Sequence, residues 1–182
     1  LLKNQYKGIS VSGATPPTDL IDVDLMFDCV EHSIENGDLV AVGETGLDRY
    51  YTTGNAKLQT DAFVRYLEIA LSAQLPVIIH CRDAFKEVFE ILDSIYLNHP
   101  NAQPCIFHCF TGSIDDLKNV ISRDWYVSYS GVVTYKSGAY LLECAQQTPS
   151  NRLLLETDAP YLCPGPKRSF PNEPSFIVRT AE

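Results

Sequence analysis

The chain has 182 residues, is 45% hydrophobic and carries a formal net charge of −9 at pH 7. That length suits one domain with a sizeable core and is short for two, so residues 1–182 are expected to form a single domain. The acidic balance argues against a protein that coats nucleic acid through a broad basic surface, yet it leaves room for a phosphate substrate, because bound divalent cations supply local positive charge.

No run approaches the length of a membrane span, and Lys3 and Lys7 stand where a signal peptide would need apolar residues. A soluble, cytoplasmic protein is expected, with no membrane association and no obligate protein partner. Ile9 to Gly13 reads as a weak strand, followed by a Pro16-Pro17 loop. From about Leu20 to Asn36, Ile21, Leu25, Phe27, Val30 and Ile34 recur at near-helical spacing, and Gly37 supplies the stop. His32, on this helix, reads as a solvated surface residue.

Leu39 to Gly43 is a short apolar run that ends on Glu44 and is released by Gly43 and Gly46, which predicts a buried parallel strand presenting Glu44 at its tip. A polar loop over Thr45 to Asn55 and a helix over Ala56 to Gln74 follow. Val77 to Cys81 is the next strand, with His80 near its end, and Ala84 to Leu97 the next helix, closed by a turn at His99. Cys105 to Cys109 repeats the design with His108. Side chains alternate across a strand, so His80 falls with Ile78 and His108 with Ile106, while Cys81, Cys105 and Cys109 turn the other way. The six cysteines include no C-x-x-C pair, and these three read as reduced core thiols, not zinc ligands.

Ser113 to Arg123 is a short helix, Trp125 to Gly131 a strand, and Ala139 to Gln147 another helix. Arg152 to Asp158 closes the series as a strand whose Glu156 and Asp158 would share one face. A Pro-rich loop containing Lys167 and Arg168 precedes Pro174, placed for the first turn of a helix.

Strand, loop and helix thus alternate six times, the pattern of a parallel sheet with helices outside it. Four strands finish on Glu44, His80, His108 or Asp158. In a (β/α) barrel such ends converge on one mouth, whereas a doubly wound sheet would spread them, and no Gly-rich dinucleotide fingerprint supports the latter. The expected fold is α/β, a parallel TIM-barrel-type fold with six of eight strands. Two imidazoles and two carboxylates at one mouth suit a divalent-metal site of mixed nitrogen and oxygen donors.

Five motifs in order carry a family resemblance: Gly43-Glu44-Thr45-Gly46-Leu47-Asp48, His80-Cys81-Arg82-Asp83-Ala84, His108-Cys109-Phe110-Thr111-Gly112, Ser130 to Lys136, and Leu154 to Leu162. They resemble the successive signatures of the TatD family of metal-dependent deoxyribonucleases, and Asn172-Glu173-Pro174 resembles its closing motif. The resemblance implies a TIM barrel holding divalent ions, two in a complete enzyme, commonly Mg, Mn or Zn. It implies that Glu44 bridges the ions, that His80 and His108 complete one site, and that Asp158 serves the other and orients or deprotonates the attacking water. Arg82, Lys136 and Arg168 would contact phosphate on the mouth loops. Glu156, two residues deeper than Asp158, would orient a ligand histidine and not bind an ion.

The implied function is metal-dependent hydrolysis of DNA phosphodiester bonds. A D-aminoacyl-tRNA deacylase, another metal-dependent ester or amide hydrolase, and a metal-binding remnant without turnover are the alternatives. The family's His-x-His pair has no counterpart in these residues, and two strands and a final helix are not visible, so a chain truncated at both ends and holding one ion well is expected.

Overall fold

A computed structural model describes residues 23–50, 56–166 and 169–182. Five strands form one parallel sheet: β1 (Val42–Asp48), β2 (Val77–Arg82), β3 (Cys105–Phe107), β4 (Tyr126–Tyr129) and β5 (Leu153–Leu155). The helices are α1 (Val23–Glu35), α2 (Ala56–Ala73), α3 (Phe85–Ile95), α4 (Ile114–Ser122), α5 (Tyr140–Gln147) and α6 (Ile177–Ala181). The strands lie in chain order, β1-β2-β3-β4-β5, each paired in parallel with the next. An uninterrupted order has no switch point, so it belongs to a barrel wall and not to a doubly wound sheet. The sixth predicted strand, Ile9 to Gly13, lies outside the described residues.

One face of the sheet is covered. Val77, Ile79 and Cys81 of β2, Cys105 and Phe107 of β3, and Val127 and Tyr129 of β4 are buried against apolar residues of α2 to α5, such as Leu67, Leu92, Val120 and Leu141. Phe107 sits at the centre of an aromatic layer, with ring centroids 5.6 Å from Phe89 and 6.1 Å from Trp125. Ile78, His80 and Arg82, with Ile106 and His108, occupy the opposite, half-buried face, so the alternation predicted for β2 and β3 holds.

Local chemistry sets the helix ends. Ser113 caps α4 in a reciprocal capping box with Asp116, and Pro174 opens a 3-10 turn ahead of α6.

Two strands depart from the sequence reading. β1 begins at Val42 and continues through Gly46 to Asp48, so Glu44 lies within the strand and not at its tip. The glycines do not release the strand. Gly46 has a φ of 149°, and a Cβ there would stand 1.9 Å from the His80 carbonyl oxygen, so glycine lets β1 lie against β2. Pairing shifts register between Val42 and Thr45, as a bulge does, resumes with Thr45 opposite Ile79, and sets Gly46 opposite His80 and Asp48 opposite Arg82. β5 stops at Leu155, so Glu156 and Asp158 follow the strand and do not share a strand face; Asp158 has a left-handed φ of 56°.

Candidate metal centre

Glu44 from within β1, His80 from the second half of β2 and His108, one residue beyond β3, meet on one face of three adjacent strands. His80 is carried by the β1–β2 ladder, and the His108 N–H extends the β2–β3 ladder by donating to the Ile79 carbonyl at 3.1 Å. Glu44 Oε1 lies 3.0 Å from His80 Nδ1 and 3.4 Å from His108 Nε2, and those nitrogens are 3.2 Å apart. A tetrahedral ion with bonds of about 2.1 Å separates its ligand atoms by roughly 3.4 Å, so the three donors stand within a few tenths of an ångström of the spacing a divalent metal requires.

Each imidazole is held from behind by a carboxylate. Asp48 Oδ2 lies 3.2 Å from His80 Nε2, and Glu156 Oε1 lies 3.3 Å from His108 Nδ1. A proton on each of those outer nitrogens turns the inner lone pairs toward Glu44, the carboxylate–histidine arrangement that fixes ligand histidines in metal sites. Asp48 is only 5% exposed. Its Oδ1 accepts the Tyr50 backbone N–H at 2.9 Å, and its own N–H donates to Oε1 of the buried Gln59 at 3.1 Å.

The electrostatics describe a place built for positive charge. Hydrogen bonds from His108 and His80 hold the Glu44 carboxyl far below the usual carboxylate range. Burial opposes charge on His108, but Glu156 and Glu44 outweigh it and push the imidazole up to about 10. Burial likewise opposes charge on His80, and hydrogen bonds to Asp48 and Glu44 raise it overall. Two N–H groups cannot point at each other across 3.2 Å, so one cation in the middle satisfies all three donors better than two imidazolium ions.

Asp158 stands outside this three-donor cluster. Burial, with the nearby Glu44 and Glu156 charges and against the pull of His108, raises its carboxyl to about 6. Arg82 shares the inner face of β2 with His80, and its guanidinium lies 3.9 Å over the Tyr50 ring. Lys136 is exposed on a 3-10 turn after β4, and Arg168 lies outside the described residues. Cys81 and Cys105 are buried in the core as expected, whereas Cys109 is only half-buried beside Ser130; burial still pushes its thiol up to about 12, so it stays neutral. Cys29 departs from the burial expected of most of the cysteines and is exposed on α1. His32 is exposed, as read from sequence. Sequence reasoning missed Asp48, whose signal was its place at i+4 from Glu44 on one strand.

The family description "TatD related DNase" matches residues 1–182. The chain is 37% identical to an uncharacterized metal-dependent hydrolase of Buchnera aphidicola over 80% of its own length and 54% of that protein. It is 36% identical to the metal-dependent hydrolase YabD of Bacillus subtilis over 98% of itself and 69% of that chain. It is also 36% identical to the 3'-5' ssDNA/RNA exonuclease TatD of Salmonella typhimurium, covering 80% of this chain and 56% of that one. The chain thus spans about half the length of several curated relatives. The structure of YjjV, a TatD homolog from Escherichia coli, superposes with a TM-score of 0.78 at 26% identity, covering 86% of this chain and 60% of that one. With strands in barrel order and this fold likeness behind it, the chain belongs to the TatD-related DNase family.

Proposed function

We propose that this chain carries the ion-binding half of a TatD-type metal-dependent hydrolase that cleaves phosphodiester bonds of DNA. The observation that carries the reading is Glu44 set between two imidazoles, each backed by its own carboxylate. Glu44, His80 and His108 hold one divalent ion, Mg, Mn or Zn, and Asp48 and Glu156 keep the imidazoles aimed. Held by these residues, a divalent ion would supply Lewis acidity toward a phosphoryl oxygen and toward water near neutral pH.

Asp158 accepts the proton from the attacking water. Its carboxyl, raised to about 6, suits a general base that is ionised at neutral pH. Arg82, Lys136 and Arg168 contact the substrate's phosphates, the first from the inner face of β2. The nuclease name of the Salmonella relative supports a nucleic-acid substrate. The site is reached in the cytoplasm, and the net charge of −9 makes binding local to the mouth.

A second reading, ion binding without turnover, is favoured by one observation: the described residues offer a single three-donor cluster, and a two-ion clamp needs ions about 4 Å apart. One experiment separates the two. The 182-residue protein is titrated with Mn or Zn by calorimetry and incubated with a labelled single-stranded oligonucleotide, with and without chelator. Slow, chelator-sensitive cleavage that disappears in Glu44→Gln is expected. An ion bound with no cleavage above the chelated control would overturn the nuclease reading in favour of the second.

A further inference from the structure

We propose that Asn172 is a positioning residue that clamps the segment carrying Asp158 and so aims the carboxylate at the metal centre. The proposal rests on the reading of Asp158 as proton acceptor, and Asn172 itself has no contact with Glu44, His80 or His108 among the bonds that hold it.

Asn172 is buried, 5% exposed, although it lies in a loop, two residues ahead of the 3-10 turn at Pro174. Its Nδ2 donates to the Thr157 carbonyl at 2.6 Å and to the Tyr161 carbonyl at 2.7 Å, one on each side of Asp158. Its backbone N–H donates to the Pro160 carbonyl at 2.9 Å, and its Oδ1 accepts the Glu173 N–H at 2.9 Å. Every polar atom of the side chain is thereby used, and three of the four bonds pull on residues 157–161.

The gripped segment needs holding. Asp158 follows β5 without belonging to it, adopts a φ of 56°, and is tied locally by the Tyr161 N–H donating to its carbonyl at 2.8 Å. A left-handed backbone is uncommon for a residue bearing a Cβ, and although Asp adopts it more readily than most, the surrounding bonds are what select it here. Released, Asp158 relaxes toward ordinary backbone angles, and its side chain swings with the change in φ.

The chemistry demands an amide. Only a nitrogen with two protons can bridge two carbonyls, and only a head group with an oxygen beside it can also take the Glu173 N–H. Aspartate has the same shape and keeps the acceptor, but it would set an oxygen against two carbonyl oxygens. Asn172→Asp therefore separates clamping from mere filling of space.

The test uses isotope-labelled wild type, Asn172→Asp and Asn172→Ala of the full 182-residue chain. Nuclear magnetic resonance reads the backbone coupling and Cα shift of Asp158 and the exchange rate of the Tyr161 amide, with the Phe107 and Val127 amides as sheet controls. Both variants should lose the left-handed signature at Asp158 and exchange Tyr161 about 10- to 100-fold faster, with the sheet amides unchanged. In oligonucleotide cleavage, Asn172→Asp should lower kcat, leave KM unchanged, and add nothing to Asp158→Asn. A left-handed Asp158 with a protected Tyr161 amide in Asn172→Asp would overturn the clamp. So would equal acceleration of the sheet amides, which would make Asn172 a general core residue. If Asp158→Asn cleaves like wild type, the proton-acceptor reading falls while the clamp, read from the backbone, stands or falls on the resonance data.

Discussion

At the β1–β3 end of the sheet, chemistry is carried by strands; at the β5 end it is carried by the chain after a strand has stopped. His80 sits within a paired strand and His108 is one ladder bond beyond β3, while Glu44 stands in the bulge of β1 between the ladder pairs at Val42 and Thr45, so sheet pairing on both sides brackets the three donors. Asp158 has no such support and depends on turn geometry and on a side chain from a distant loop. On the proposed reading, the ion site is preorganised by the sheet around it, while the proton acceptor depends on a clamp whose removal is expected to leave the sheet undisturbed.

The largest effect expected is from breaking the strand-borne end at its closest approach. In Gly46→Ala, the added Cβ meets the His80 carbonyl oxygen at 1.9 Å in a backbone that side chains rarely adopt. β1 and β2 must separate, so the protein should lose cooperative unfolding and ion binding together; a folded Gly46→Ala that still binds Mn would show that the ladder does not set the site. Next comes Glu44→Gln, which preserves shape but gives up the charge shared by both imidazoles. Losing an outer partner of a ligand costs about 10–100-fold in metal affinity, and losing the ligand itself should exceed about 100-fold. Calorimetric affinity within about tenfold of wild type would remove Glu44 from the coordination set.

The same contrast governs what the sequence disclosed. Helices and strands from Ala56 to Gln147 were legible because each apolar period is bounded by Pro, Gly or a capping residue, and period-2 alternation placed His80 and His108 on one face. Strand ends offered Glu44, His80, His108 and Asp158 together, and the grouping of Glu44 with the two histidines came from the family resemblance; the structure brings those three within reach of one another. β1 was misread because its two glycines look like a loop, whereas their function is close approach of β1 to β2. Extending the strand through Gly46 would have put Asp48 on the face of Glu44. The β5 end was legible only as a list of carboxylates, since a left-handed turn and a bond from Asn172 leave no periodic trace. The Glu156 prediction rested on a strand face that the chain leaves at Leu155, yet its carboxylate does reach His108.

A smaller effect, still at the strand-borne end, comes from the carboxylates behind the imidazoles. Asp48→Ala and Glu156→Gln should each weaken ion affinity about 10–100-fold without removing a ligand. Coordinated Glu156 oxygens in a metal-bound structure would overturn its orienting role. Protons compete with the ion here, because ligation needs neutral imidazoles while the ion-free site favours charged ones. Affinity should therefore rise with pH toward the His108 value of about 10 and fall in acid. Stability of the ion-free protein runs the other way. A histidine raised from its ordinary value of about 6.5 contributes fully below that pH and ceases to contribute as pH passes about 10. Added ion should thus stabilise most at the alkaline end, measured as the shift in Tm with and without Zn at several pH values; an ion-induced shift larger in acid would contradict the carboxylate–imidazole account.

The smallest effect on ion affinity is expected at the β5 end, from Asp158→Asn. Asp158 lies outside the three-donor cluster, so calorimetry should show nearly wild-type affinity for a single ion while cleavage falls. Asparagine tolerates the left-handed backbone as well as aspartate does, so the turn and its bonds to Asn172 should survive. Stability then reads the carboxylate alone. Burial raises it to about 6, so its charged form opposes folding: the native state keeps full benefit below the ordinary carboxyl value near 4 and loses it as pH rises through about 6. The neutral variant loses nothing. Asp158→Asn should match wild type near pH 4 and exceed it near pH 8 by about 1–2 kcal/mol, allowing for the partial exposure of the group. Chemical denaturation of the ion-free proteins at both values measures this difference. A variant less stable than wild type at pH 8 would mean that Asp158 is held by a favourable partner and not by constraint, and a carboxylate so held would be a structural anchor instead of a group poised to take a proton.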